Sequence, residues 1–297
     1  MRRKMIFVCG IHGVGKTFFC EKLSKRTKLP MFSASRLILD NKEKNFKNKQ
    51  VDNIDINEEV LIDQINKLQS QYQNFILDGH LCLLDKQSKI ERIRKEVFEQ
   101  MNIHFLITLI DNPSVIKKRM YERDGIIWKE SFVKKFQESE VNYTRYLSRK
   151  LNLDYCIMTN NSDDIKFGNS IILPIKEKYA NMIFNGQKKY EFRKKICKRN
   201  IDKIYLYVTS PVKKIVGEVQ VIGKYSMKKE NLWNISYEFA GITQEEYDNY
   251  FKNDDRANAY KIGRTTKFNC PIDLKKMGIQ HNIQSYVYIN DQTLNIL

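Results

Sequence analysis

Gly10-Ile11-His12-Gly13-Val14-Gly15-Lys16-Thr17 is the stretch that decides the fold of this chain. Its spacing, a glycine, four residues and then Gly-Lys-Thr, is that of a phosphate-binding loop. Met5-Ile6-Phe7-Val8-Cys9 before it is an apolar run suited to a buried strand. Phe18-Phe19-Cys20-Glu21-Lys22-Leu23 after it is apolar at helical spacing, with no proline before Pro30. Strand, glycine loop and helix in that order turn backbone N–H groups and the positive end of the helix onto phosphate oxygens. On this geometry Gly10, Gly13, Val14, Gly15, Lys16, Thr17 and Phe18 form the ATP-binding segment. Lys16 reaches the β- and γ-phosphates, and the Thr17 hydroxyl joins a Mg2+ shell.

Apolar runs then alternate with amphipathic stretches. Residues 74–78 end in Asp78, residues 104–110 run into Asp111, and residues 155–158 form a third run. Between them, residues 58–71 and 86–100 carry apolar side chains at helical spacing. The alternation predicts an α/β fold, a parallel sheet with flanking helices. Asp78 falls at the carboxyl end of its strand, where ligands gather in open α/β sheets. A carboxylate there can hold Mg2+ through water or take a proton from an attacking oxygen.

With these residues in view, residues 4–165 resemble the P-loop nucleoside monophosphate kinases of the adenylate and cytidylate kinase type. Met31-Phe32-Ser33-Ala34-Ser35-Arg36 lies where those enzymes place an acceptor segment ending in arginine, and Ile76-Leu77-Asp78-Gly79-His80 is similar to their second acidic motif. Asp111-Asn112-Pro113-Ser114 through Arg119 and Arg123 resembles the strand end and arginine-bearing helix of their lid. The resemblance implies an ATP-dependent phosphotransferase acting on a nucleotide, with Lys16, Asp78, Arg119 and Arg123 catalytic and Arg36 gripping the acceptor phosphate. Phosphoryl transfer needs alignment and charge neutralisation, and arginines four apart share one helix face. Asp111 has a second reading as a helix cap beside Asn112-Pro113. The lid between Arg123 and Lys134 is short for the family, and residues 41–57 supply no recognisable acceptor-base reader. A GTPase is excluded because Asn48-Lys49-Gln50-Val51 lacks the final acid of a guanine reader. A ring-forming ATPase would need a longer module.

From about residue 168 short runs rich in aromatic and β-branched residues take over: 171–173, 203–208, 215–221 and 284–289. They predict a small β-barrel with one or two helices, one of them over 176–185 and stopped by Gly186. Gly186-Gln187-Lys188-Lys189-Tyr190-Glu191-Phe192-Arg193 matches the Gly-x-Lys-x-x-Glu-x-Arg signature of the ASCH domain, a relative of the PUA RNA-binding fold. The resemblance implies a nucleobase or nucleotide cleft. In members that hydrolyse acetylated cytidine a threonine stands where this chain has Glu191, which favours binding over hydrolysis. Lys188, Arg193, Lys194 and Lys195, with Glu191 the only opposing charge and Tyr190 and Phe192 between, have the composition of a surface for RNA or single-stranded DNA. In an extended segment Lys189, Glu191 and Arg193 share a face, with Glu191 placed to pair with Arg193 or Lys188. Lys261, Arg264 and Lys267 read as a second basic cluster in a loop.

The expected organisation is therefore a P-loop domain over 1–167 and a PUA-like domain over 168–297. Its 52 Lys and Arg against 35 Asp and Glu leave a net charge of +17, which suits polyanionic partners and also a Lys- and Asn-rich composition without function. The six cysteines show no Cys-x-x-Cys pair and read as reduced core residues. With no apolar run long enough to span a bilayer, no membrane partner is expected and a cytoplasmic location is. Two other activities stay open. One is a kinase acting on a polynucleotide end or modified base; the other is an ATP-switched nucleic-acid sensor that phosphorylates nothing.

Overall fold

The computed structural model describes residues 4–45, 54–85, 87–160, 170–277, 279 and 283–289. They fall into two compact units, Met1–Asn160 and Asn161–Leu297. The boundary expected at 167/168 and the segment Asn48–Val51 lie outside the described residues.

The first unit runs β1 (Lys4–Cys9), α1 (Lys16–Thr27), β2 (Met31–Ser33), α2 (Ala34–Asn45), α3 (Ile54–Gln71), β3 (Asn74–Asp78), β4 (Cys82–Leu84), β5 (Ile90–Arg92), α4 (Lys95–Gln100), β6 (Ile103–Ile110), α5 (Pro113–Asp124), α6 (Glu130–Leu151) and β7 (Asp154–Thr159). Its main sheet has the order β7-β6-β1-β3-β2, parallel throughout. Strands buried on both faces read as near-continuous apolar runs, as Phe7, Val8 and Cys9 beside Leu106 and Ile107 do. All the strands point their carboxyl ends the same way, so Gly10, Gly79 and Asp111 emerge along one edge.

The longest helix, α6, buries Val133, Phe136, Gln137, Glu140, Val141, Thr144, Leu147 and Ser148, the spacing of one helical face. Glu140 is the acid within that face. Its carboxylate accepts from the N–H groups of Leu81 and Cys82 at 2.9 and 2.8 Å, satisfying backbone that leaves β3 for β4. Residues 86–100 are not one helix. The Asp85 carboxylate accepts from Gln87 N and Lys89 N at 2.9 and 2.7 Å, making a side-chain-closed turn. The chain then returns as β5 antiparallel to β4 and becomes helical only at Lys95.

The second unit contains β8 (Ser170–Ile175), α7 (Glu177–Phe184), β9 (Tyr190–Arg193), β10 (Lys203–Val208), β11 (Lys214–Lys228), α8 (Lys229–Ser236), a 3-10 turn (Tyr237–Phe239), α9 (Gln244–Tyr250), β12 (Arg256–Ile272), a second 3-10 turn (Leu274–Met277) and β13 (Val287–Ile289). Within it the strands follow β13-β8-β10-β11-β12-β9, parallel between β8 and β10 and antiparallel elsewhere. Ile171, Leu173, Ile204, Leu206, Val219, Tyr260 and Ile262 pack with Ala180 and Ile183 of α7 into its main core. This is the β domain that the second resemblance implies, with more helix than expected.

The basic cluster Lys261, Arg264 and Lys267 is not in a loop. It lies within β12, which pairs with β11 from Arg256 to Ile272. Ala257, Ala259 and Ile262 are buried in the first half of that strand, whereas the second half is largely exposed, so its composition there is that of a surface.

At Gly217 the sheet closes tightly: a Cβ there would sit 2.3 Å from the Thr266 carbonyl oxygen and 2.6 Å from the Phe184 ring. Gly217→Ala is therefore expected to cost about 1–3 kcal/mol through forced displacement of β12 or α7. Thermal unfolding followed by circular dichroism tests this, and a melting curve unchanged from that of the parent chain would refute it.

Candidate functional site

The loop between β1 and α1 is held from behind. Lys16 Nζ donates to the carbonyl oxygens of Gly10 and Ile11 at 2.9 and 3.2 Å. Asn160, just past β7, donates through Nδ2 to Val14 O at 2.6 Å and Gly15 O at 3.3 Å. Arg119 Nη1 of α5 lies 3.4 Å from Gly13 O. Gly15 has φ +90°, and a Cβ there would come within 2.1 Å of Asn160 Nδ2, so both conformation and space demand glycine. Gly10 and Val14 serve through their backbone, while Phe18 is exposed at the mouth with Lys22 Nζ 4.1 Å from its ring centre.

Thr17 Oγ1 donates to Asp78 Oδ2 at 3.3 Å, bringing a hydroxyl and a carboxylate together. Burial pushes the Asp78 carboxyl up, and Lys16 and the Thr17 hydroxyl oppose that shift. Lys16 is lowered by burial, against the pull of Asp78 and Glu140. This pair fits Mg2+, which keeps most of its waters and takes few protein oxygens beside those of phosphate. Among the described residues there is no cluster of three or more His, Cys, Asp or Glu able to hold a metal by themselves.

Arg119 is oriented by Asp111, whose Oδ2 accepts from Nη1 at 2.8 Å. Asp111 is buried, and Gln137 Nε2 and Oε1 bracket its backbone. The cap of α5 is Asn112, whose side chain accepts from Ser114 N at 3.0 Å. Asp111 therefore does not cap α5, and its pairing with Arg119 is a role that the sequence reading did not give it. Arg123 is exposed one turn further along α5.

These groups line a single cleft of about 670 Å³. Gly13, Gly15, Lys16, Thr17, Phe18, Arg119 and Arg123 form one part, and Ser33, Ser35, Ile38, Leu61, Asp78 and His80 belong to the other. Arg36 is exposed on α2 and is not among the lining residues. The sequence reading passed over His12 and His80, whose ring centres lie 4.2 Å apart with the planes tilted by 42°, and Asn160 and Glu140. Asp-Gly-His at a strand end was a signal for His80; nothing local to Asn160 or Glu140 marks them.

In the second unit a cleft of about 570 Å³ is lined by Pro174, Tyr179, Lys188, Glu191, Phe192, Arg193, Glu246 and Tyr250, among others. Lys188 Nζ donates to Ala240 O at 2.6 Å and lies 3.7 Å from Glu191 Oε2. Arg193 holds the other oxygen of Glu191 at 2.9 Å and donates to Pro174 O at 2.5 Å. Burial lowers the Lys188 ammonium, while Glu191 supports its charge. Glu191 is thus an ion-pair centre, buried together with both aromatic neighbours. Lys194 is exposed and pairs with Asp254 at 2.8 Å; Lys195 is exposed.

Comparison with known proteins assigns residues 9–126 to the AAA domain family and residues 173–266 to the ASCH domain family. The ATP synthase subunit alpha of Ureaplasma parvum is 28% identical over 123 residues, 40% of this chain and 15% of that protein. An ASCH domain-containing ribonuclease of Zymomonas mobilis is 26% identical over 100 residues, 33% of this chain and 68% of that protein. A gluconokinase structure from Sinorhizobium meliloti aligns at 18% identity with a TM-score of 0.29, covering 46% of this chain and 76% of that one. The chain spans 15% and 39% of the first two curated relatives it matches. Among the described residues no helix is long and apolar enough to cross a membrane.

Because Glu191 compensates two cations in a largely buried setting, Glu191→Ala should destabilise the chain by about 3–5 kcal/mol, the cost of leaving a buried charge unpaired. Adding Lys188→Met should recover part of the loss. Denaturant titration of the single and double variants checks this; an additive double variant would refute the coupling.

Proposed function

We propose, from the premise that this chain joins a P-loop kinase-like domain to an ASCH domain, that it is a cytoplasmic ATP-dependent phosphotransferase acting on a nucleotide. Its ASCH domain holds a nucleobase ligand or a strand of RNA or single-stranded DNA. We take the two domains as 1–167 and 168–297. The observation that carries the reading is that Lys16, Thr17, Asp78, Arg119 and Arg123 line one cleft with an acceptor-sized space beside them.

In this reading the loop N–H groups and Lys16 bind the β- and γ-phosphates, and Lys16 exchanges its carbonyl partners for phosphate oxygens. Thr17 and Asp78 would hold Mg2+, which supplies charge neutralisation between the phosphates. Arg119, kept in place by Asp111, and Arg123, from the same helix, neutralise charge on the transferring group. In the ASCH cleft the pairing of Lys188 and Arg193 with Glu191 favours ligand binding over hydrolysis. A relative named as a ribonuclease favours RNA as the strand.

Incubation with γ-labelled ATP and a panel of monophosphates and oligonucleotides tests the activity, which should appear as label on an acceptor. Lys16→Ala should lower the rate by at least about 10²-fold, as loss of one preorganised charge at a transition state does. Transfer of no label to any acceptor, with ATP-dependent oligonucleotide binding retained, would replace this reading by that of a sensor.

Oligonucleotide binding should weaken steeply with salt. Replacing Lys194, Lys195 and Lys198 by alanine should flatten the log–log slope by about 0.7 for each phosphate that is no longer neutralised. An unchanged slope would place the strand elsewhere.

A further inference from the structure

We infer that the acceptor is the end nucleotide of a single strand of RNA or DNA, and that the phosphates next to that end lie in a basic groove between β5 and α6. The inference rests on the kinase reading above and names the acceptor class of that same cleft.

The groove holds about 720 Å³ and is lined by Lys89, Glu91, Arg92, Phe132 and Lys135, among others. Among its described lining residues three are cations and one, Glu91, is an acid. Two elements present the cations on fixed backbone. On β5, Lys89 follows the Asp85 turn, and its N–H donates to Asp85 Oδ1 at 2.7 Å. Arg92 ends the same strand, with its guanidinium 5.2 Å from the Tyr143 ring centre. On α6, Phe132 and Lys135 are three residues apart and so share a helix face. Trp128 stacks on Phe132 with ring centres 5.0 Å apart and planes 17° from parallel, which holds that ring at the groove wall.

Exposed cations beside an aromatic ring suit a single strand, whose phosphates take the charge and whose bases take the ring. A free phosphate would meet the cations but would neither fill the groove nor use Phe132.

The position of the groove ties it to the kinase cleft. Leu83 and Ile93 line the cleft, whereas Glu91 and Arg92 line the groove. Leu83 pairs with Glu91 in register across β4 and β5, and paired strands lie about 4.8 Å apart. One narrow ribbon therefore separates the two spaces. A mononucleotide in the cleft would leave the groove unused. A strand that ends in the cleft crosses the ribbon and lays its next phosphates along Lys89, Arg92 and Lys135. An oxygen of the end nucleotide then bonds to the γ-phosphorus, the bond from phosphorus to the bridging oxygen breaks, and ADP leaves with the electron pair. Where the attacking oxygen carries a proton, that proton goes to water.

The test offers γ-labelled ATP with mononucleotides and with RNA and DNA oligonucleotides of increasing length, each with 5′-hydroxyl and 5′-phosphate ends. kcat/KM should rise with length over the first few nucleotides and then level off, and the RNA and DNA arms tell which strand is preferred. Lys89→Ala combined with Lys135→Ala should lower kcat/KM for a long oligonucleotide about 10-fold more than for a mononucleotide. Both side chains are exposed, so the melting curve of this variant should match that of the parent chain. A 4-thiouridine oligonucleotide photocrosslinked to the full chain should attach within 87–94 or 128–139. Equal kcat/KM at all lengths, a loss shared equally by the mononucleotide, or crosslinks confined to 170–289 would each overturn the inference and leave the kinase reading standing. Label on no acceptor would overturn both.

Discussion

The site in the first unit depends on how the loop disposes of its carbonyl oxygens. A phosphate-binding loop works only if its N–H groups face the ligand, so its C=O groups must be satisfied from the other side. Here Asn160 takes the oxygens of Val14 and Gly15 and Arg119 approaches that of Gly13, while Lys16, which lines the cleft, occupies those of Gly10 and Ile11. These donors come from α1, from the residue after β7 and from α5. They converge because β7, β6 and β1 are adjacent and parallel. The sheet order is what lets Asn160 reach a loop that it follows by well over a hundred residues.

Buried carboxylates do the second part of the arrangement, each by a different route. Asp111 spends its charge on Arg119, so the arginine's position is set before any phosphate arrives. Glu140 takes two backbone N–H groups and shapes the turn out of β3, which carries Asp78, Gly79 and His80. Among the described residues Asp78 accepts a hydrogen bond from the Thr17 hydroxyl alone, which leaves its carboxylate free for a metal or a proton in the proposed function. Three acids in one unit thus divide into one that orients, one that builds and one left largely uncommitted. What separates them is how much of each carboxylate is already satisfied.

Local pattern carries far in this chain and then stops for identifiable reasons. The loop, the Asp78 strand, the Asn112-Pro113 helix start and the ASCH signature are contiguous, and each declares its own geometry. The strand β5 within 86–100 escaped because Ile90 and Ile93 repeat at helical spacing, while the Asp85 turn that precedes it is made by a side chain. The strand β12 escaped because its second half faces solvent, so Arg264, Thr265, Thr266 and Lys267 read as a loop. Asn160 and Glu140 were invisible because what they do depends on neighbours brought together only by the sheet. His80 lay within a motif already noticed, but its place beside His12 in the cleft appears only once β1 and β3 pair.

The basic segment of the second unit shows why charge counted along a sequence overstates charge offered to a ligand. Lys188 and Arg193 are both committed to Glu191, and Lys188 also to the Ala240 carbonyl. Lys194 faces Asp254, and Lys189 lies over the Phe239 ring at 3.9 Å. Much of the local excess therefore builds the cleft instead of coating it. A base entering between Tyr179, Phe192 and Tyr250 would meet cations whose positions are already fixed by acid and carbonyl partners, at less ordering cost than free lysines would bring. In the proposed function, electrostatic attraction for the rest of a strand would fall to the exposed Lys194, Lys195 and Lys198, which act at longer range and are screened by salt. Buried, paired Lys188 and exposed Lys195 and Lys198 thus differ in what they could offer a ligand, although in the sequence they look alike.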